Sequence, residues 1–179
     1  MLSDQSRQGL DSAFERAARG TLVRSQDDAC QIVTESADGT AALSADPLLV
    51  ITISTFAFRL LTLFQVADND ANRAYFLAPG ADCTLQEGFA EVANLCSGAL
   101  SREMSSIFPH LAMSIPSRLS PQCLDSLAQL KPDYTSRHTV AINIGVQVSV
   151  TLCMCCSAPV DIPVTIAQQQ AASGELEIF

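Results

Sequence analysis

Lysine is nearly absent from this chain: of ten basic residues nine are arginine, and Lys131 stands alone. Mechanisms that need a phosphate-binding or Schiff-base lysine have almost no material here, which excludes Walker-type nucleotide chemistry. Charge of either sign is sparse, 16% of residues against about 25% in ordinary domains. What there is leans acidic, with a formal net charge of −9 and a pI near 4.4. Such a surface repels phosphate backbones and anionic lipid, so neither nucleic acid nor a membrane is expected as partner. Tryptophan is missing and there are two histidines. Neither His110 nor His138 has a Ser or Cys nucleophile in a recognisable context, which weighs against a catalytic triad. No secretory signal is expected either, because Met1 to Gly20 is polar with no basic start and no apolar stretch.

Hydrophobic residues make up 48% of the 179 positions, enough for one domain with a core that needs no metal or disulfide. The seven cysteines are an odd number and form no evenly paired framework; a cytoplasmic setting fits them better than a secreted one. Cys153, Cys155 and Cys156 lie close together, but zinc sites draw their ligands from turns at wider spacing and neither histidine falls at ligand distance in sequence. Strand packing is the preferred reading of these cysteines over metal binding. The apolar stretch Leu48 to Ala67 is long enough to span a bilayer but carries Arg59 near its centre. An arginine there costs about 2.5 to 3.5 kcal/mol on insertion, and the stretch reads better as two strands.

Leu10, Phe14, Ala17, Ala18 and Leu22 recur at helical spacing behind Ser3 and Asp4, which predicts a first amphipathic helix over residues 4 to 24. A short strand is expected at Gln31 to Thr34, then a turn at Asp38-Gly39, then strands at Leu48 to Ser54 and Phe58 to Val66. Arg73 to Ala78 reads as a further strand. Thr84 followed by Glu87 forms a capping box ahead of Leu85, Phe89, Val92, Cys96, Ala99 and Leu100, so a second long helix is predicted to about Ile107. Pro109 and Pro116 bracket an extended piece, and Pro121 to Leu130 reads as a small helix. Thr139 to Ile144 and Val146 to Cys155 flank Gly145 as a hairpin. The strict alternation of Val146, Val148, Val150, Leu152 and Met154 makes one face core and the other not. The order predicts a single α+β domain, an antiparallel sheet covered by two long helices. It divides into halves of similar plan, about 1–80 and 81–167, with a tail at 168–179.

The second helix carries a polar stripe: Glu87, Glu91, Asn94, Gly98 and Ser101 follow at spacings of four, three, four and three, in line on the side opposite Phe89, Val92 and Cys96. A solvated helix face is the plain reading. Gly98 counts against it, because glycine inside a helix costs about 1 kcal/mol relative to alanine and leaves a flat spot one turn from Asn94 where a partner can approach.

The segment Glu87-Gly88-Phe89-Ala90-Glu91-Val92-Ala93-Asn94-Leu95-Cys96-Ser97-Gly98 resembles the signature helix of the CheC/CheX/FliY chemotaxis phosphatases, most closely CheX. That signature is Asp or Ser, three residues, Glu, two residues, Asn, then about twenty-two residues and Pro. Glu91 and Asn94 match its two key positions; Glu87 stands where Asp or Ser is usual, and Pro116 comes one residue early. Asp11, Glu15 and Ala18 of the first helix repeat the spacing of Glu87, Glu91 and Asn94, and look like a decayed copy with Ala at the Asn position.

The resemblance implies two pseudo-symmetric halves, and a phosphatase acting on the aspartyl phosphate of a CheY-like response-regulator receiver. Asn94 would position the attacking water and Glu91 would pair with a receiver lysine, while Glu87 and Gly98 line the contact. The chain would need no cofactor of its own, the receiver supplying Mg²⁺. A homodimer joined through the sheets would be consistent with the family. Two other readings remain open: a non-catalytic receiver- or flagellar-motor-binding module of the same fold, as in FliM, and a structural domain whose polar stripe is merely solvated.

Overall fold

The computed structural model describes residues 2–36 and 46–164; the expected turn at Asp38-Gly39 and the tail at 168–179 lie outside the described residues. Helix α1, Asp4–Leu22, starts at Ser3, whose side chain accepts from the Ser6 amide at 3.1 Å, and it buries Leu10, Ala13, Phe14, Ala17, Ala18 and Leu22. Strands β1 (Cys30–Ser36), β2 (Leu48–Ser54) and β3 (Phe58–Val66) follow. Next come helices α2 (Asp70–Phe76) and α3 (Leu85–Ser105), the short strands β4 (Ala112–Met113) and β5 (Ser117–Leu119), a 3-10 helix over Pro121–Leu130, and strands β6 (Tyr134–Ile142) and β7 (Val146–Cys156).

Among the described residues the strands make one antiparallel sheet in the order β1-β6-β7-β3-β2, with β4 and β5 both pairing on the outer side of β2. The order is symmetric in a particular sense. β3 and β7 occupy the centre, β2 and β6 flank them, and each edge is filled by the strand that follows a long helix: β1 after α1, β4 and β5 after α3. Helices α1 and α3 pack on each other and on one face of the sheet. The core lies between, built from Leu10, Phe14, Phe89, Leu100, Ile51, Phe64, Val148 and Leu152 among others. Full burial of side chains of this size stabilises by about 1.5 to 3 kcal/mol each.

Two expectations are corrected. Arg73 to Ala78 is not a strand; most of it belongs to α2. Asn69, the residue that looks like a strand breaker, is the helix N-cap, its side chain accepting from the Asn72 amide at 2.8 Å. Nor is the second face of the hairpin left bare. Cys153 is fully buried there, in a second small core with Leu48, Val50 and Leu63, roofed by Cys123, Leu124 and Leu127 of the 3-10 helix. Burial pushes its thiol up to about 11, so at neutral pH it is a packing group rather than a nucleophile.

Candidate functional site

Helix α3 is held from both ends. At its start Thr84 and Glu87 form the predicted capping box: the Thr84 amide and hydroxyl donate to Glu87 Oε2 at 2.8 and 2.7 Å, and the Glu87 amide donates back to Thr84 Oγ1 at 3.3 Å. In its first half Phe89 sits edge-on to Phe76 and Phe64, with centroids 4.9 and 6.3 Å apart. In its second half buried Ser97 lies 3.0 Å from the Thr62 hydroxyl, which hydrogen-bonds the Ile51 carbonyl and so ties the helix to β2 and β3. Near the end Arg16 of α1 donates from Nε and Nη2 to Glu103 Oε2, at 3.0 and 2.7 Å. With Phe89, Ala93, Cys96, Ser97 and Leu100 facing inward, the rotation of the helix about its axis is fixed, and so is the face it presents outward.

That outward face carries the predicted stripe. Glu91 is exposed and Asn94 half-buried, one helical turn apart. Neither side chain has a hydrogen bond or ion pair among the described residues. Phe89 and Cys96 are fully buried as expected, while Val92 is only half-buried. Gly98 has open space above it: a Cβ built there would meet only the end of the flexible Arg102 side chain, at 3.7 Å. Gly88 differs, since a Cβ there would come within 2.4 Å of Leu77 Cδ2. Packing inside the chain therefore accounts for Gly88 and gives no reason for Gly98.

Glu87 is exposed, but its carboxylate is engaged. The Thr84 hydrogen bonds hold its carboxyl below the usual carboxylate range, and its Oε1 lies 4.0 Å from Arg118 on β5. It therefore caps the helix rather than offering a free charge, and its contact with the edge strand is long and exposed.

The first helix departs from its expected likeness to the second. Ala18 is fully buried, whereas Asn94 is half-buried. Asp11 accepts hydrogen bonds from the Tyr134 and Ser136 hydroxyls and lies 3.2 Å from Nε2 of the buried His138. The Thr34 hydroxyl donates to Glu15 at 3.1 Å and lies 3.0 Å from His138 Nδ1. Asp11 and Glu15 are thus turned onto β6 and β1. Burial and the Asp11 carboxylate together push the Tyr134 hydroxyl up to about 12.

One residue of the outward face escaped the sequence reading. Leu95, four residues after Glu91, is 58% exposed between Asn94 and Gly98. Its spacing from Glu91 was visible, but a leucine in an amphipathic helix reads first as core. Ile115, beside Pro116 in the segment joining β4 and β5, is 80% exposed. Among the described residues no group of acids, cysteines and histidines is arranged to hold a metal ion, and no helix is long and apolar enough to cross a membrane.

No family model and no curated protein matches the sequence. Solved structures do. A CheC-like superfamily protein from Shewanella sp. PV-4 superposes with a TM-score of 0.53 at 13% identity, covering 86% of this chain and 99% of its own. CheX from Vibrio vulnificus gives 0.54 at 10% identity, with 85% and 99% covered. The CheX-CheY-BeF3-Mg²⁺ complex from Borrelia burgdorferi gives 0.55 at 11% identity, with 85% and 98% covered. At such identities a likeness over nearly the whole length of each neighbour is a likeness of architecture, and the sheet, the paired long helices and the edge strands agree on it: this chain has the CheC/CheX-like fold.

Proposed function

We propose that the protein is a phosphatase that hydrolyses the aspartyl phosphate of a CheY-like response-regulator receiver. The observation that carries this reading is the pair Glu91 and Asn94, adjacent on the outward face of a helix whose rotation is locked, with both side chains free of partners among the described residues. A carboxamide suits the task, because it can accept from and donate to one water at once without acting as a strong base. Asn94 holds that water in line with the phosphorus. Glu91 pairs with a receiver lysine beside the phosphoacceptor and sets the depth and angle of approach. Gly98 and Leu95 form the low apolar part of the contact, with Glu87 behind as the cap that keeps the helix in place. The phosphorylated aspartate and its Mg²⁺ belong to the receiver. The Borrelia neighbour, a protein of this fold, is in complex with CheY, BeF3 and Mg²⁺, which supports a receiver as the partner here.

The test is incubation of the full chain with phosphorylated receivers from the same cell, following loss of phosphate. Faster loss than the spontaneous rate for at least one receiver is the expected result. Binding with no acceleration would replace the enzyme by a receiver-binding module, and neither binding nor acceleration would leave the stripe a solvated face.

A further inference from the structure

On the sheet face away from α3 lies a cavity of about 560 Å³ that the proposed phosphatase chemistry does not use. Its floor is Thr135, Arg137 and Thr151 on β6 and β7; one wall is Leu124, Leu127 and Ala128 of the 3-10 helix. Lys131, Pro132, Asp133 and Tyr134 close the end where the 3-10 helix turns into β6, and Arg7 reaches in from α1.

The charge at this place is unlike that of the rest of the molecule. The chain has nineteen acids to ten bases, yet the lining holds Arg7, Arg137 and the only lysine against a single acid, Asp133. Asp133 already accepts from the Cys156 amide at 2.8 Å. Arg137 is half-buried and stands opposite Glu35 in the ladder, yet neither its side chain nor that of Lys131 has a hydrogen bond or ion pair among the described residues. The Arg7 guanidinium lies 5.7 Å from the Tyr134 ring centroid and its Nη1 is 3.3 Å from the exposed Asp4, while its Nε is buried with no hydrogen-bond partner among the described residues. A half-buried guanidinium with no anion is costly, and its planar fork is shaped to take a carboxylate or phosphate. Beside these donors stands the apolar wall of Leu124, Leu127, Ala128 and Pro132. The volume falls within the range of about 300 to 1,000 Å³ usual for small-molecule sites.

We propose that this cavity binds a small organic anion, a carboxylate or phosphate head joined to an apolar body. Arg137 and Lys131 take the head, Arg7 and the Thr135 and Thr151 hydroxyls complete its shell, and the body lies against Leu124 and Leu127.

Calorimetric titration of the full chain with phenyl phosphate, benzoate and inorganic phosphate, at one ionic strength of about 150 mM, tests this. Saturable binding with Kd below about 1 mM is expected for phenyl phosphate or benzoate, and which of them binds more tightly identifies the head group. Inorganic phosphate, lacking the apolar body, is expected to bind at least about tenfold more weakly. Arg137→Gln should weaken the organic probe about tenfold or more, whereas Arg19→Gln, altering an arginine that donates to the Cys30 carbonyl elsewhere, should leave it unchanged. If circular dichroism shows Arg137→Gln unfolded, the exposed Lys131→Gln carries the comparison. No saturable binding by any probe, or equal affinity in the parent and the folded pocket variant, overturns the site. Equal affinity for inorganic phosphate and the organic probes overturns the apolar part of the ligand.

Discussion

Helices α1 and α3 carry acids at the same spacing and use them for opposite ends. On α3, Glu91 points outward with no partner among the described residues. On α1, Asp11 is enclosed by two hydroxyls and a buried imidazole, and Glu15 by the Thr34 hydroxyl. Spacing along a helix places residues in line but does not say which way the line faces. That is decided by the apolar residues around it: Phe14, Ala17 and Ala18 turn the α1 line toward the sheet edge, while Phe89, Cys96 and Ser97 turn the α3 line away from it. A polar line that faces inward becomes structure, and one that faces outward is left for a partner.

The two helices should differ most in function at Asn94. Asn94→Ala should leave receiver binding nearly intact and lower single-turnover dephosphorylation by roughly ten- to a thousandfold, because a water-positioning group acts mainly in the transition state. Equal rates at saturating receiver would remove Asn94 from the mechanism. Asp11→Ala is the counterpart on α1. It strips the acceptor from Tyr134, Ser136 and His138 and should cost about 3 kcal/mol in a urea titration. Glu91→Ala should move stability by no more than about 0.5 kcal/mol; if the two variants unfold together, the inward and outward faces have been misjudged. Ala18→Asn, which on spacing alone would restore a second site, should instead bury a carboxamide and cost about 2 kcal/mol with no gain in dephosphorylation.

Gly98→Ala should sharpen the contrast in the other direction. With open space at its Cβ, the variant is expected to be about 1 kcal/mol more stable, melting about 2 to 4 °C higher, and yet slower on the receiver because the flat spot is filled. The smallest effect is at the cap. The Glu87 carboxyl is held below its ordinary value of 4.5 by Thr84. Its contribution is therefore complete above about pH 4.5 and lost as pH falls through the lowered value. Thermal melts across that window should fall less steeply for Glu87→Gln than for the parent.

Where a single period dominates, the chain announces its structure. The bounds of β2 and β3 coincide with Leu48 to Ser54 and Phe58 to Val66 because those runs are bracketed by polar or turn residues, and the Thr84 box marks the start of α3 to the residue. Helix α2 was misread because seven residues are too few to show a 3.6 period, and Asn69 serves equally as breaker and as cap. The covered back of Cys153 was not legible at all, since its roof comes from a 3-10 helix thirty positions away in the chain. At the site, Glu91 and Asn94 were visible through their spacing and their likeness to a known helix. The inward turn of Asp11 was not, because it depends on Tyr134, Ser136 and His138, contributed by a strand more than a hundred residues later, and that of Glu15 rests on the Thr34 hydroxyl of β1.

The exchanged edge strands bear on how the chain reaches this state. Strand β1 of the first half has its hydrogen-bonded neighbour in β6 of the second, pairing Cys30 with Ile142, while β4 and β5 of the second half complete the sheet beside β2 of the first. Neither half possesses a finished sheet of its own, so neither is a unit of folding despite their common plan. A nascent chain that has left the ribosome as far as α3 holds β1 with no strand to join, and must wait until β6, Tyr134–Ile142, has followed. Pairing at such separation pays its loop-closure entropy before any reward, which places this domain among slow folders and makes the interval before β6 appears its period of greatest exposure to aggregation.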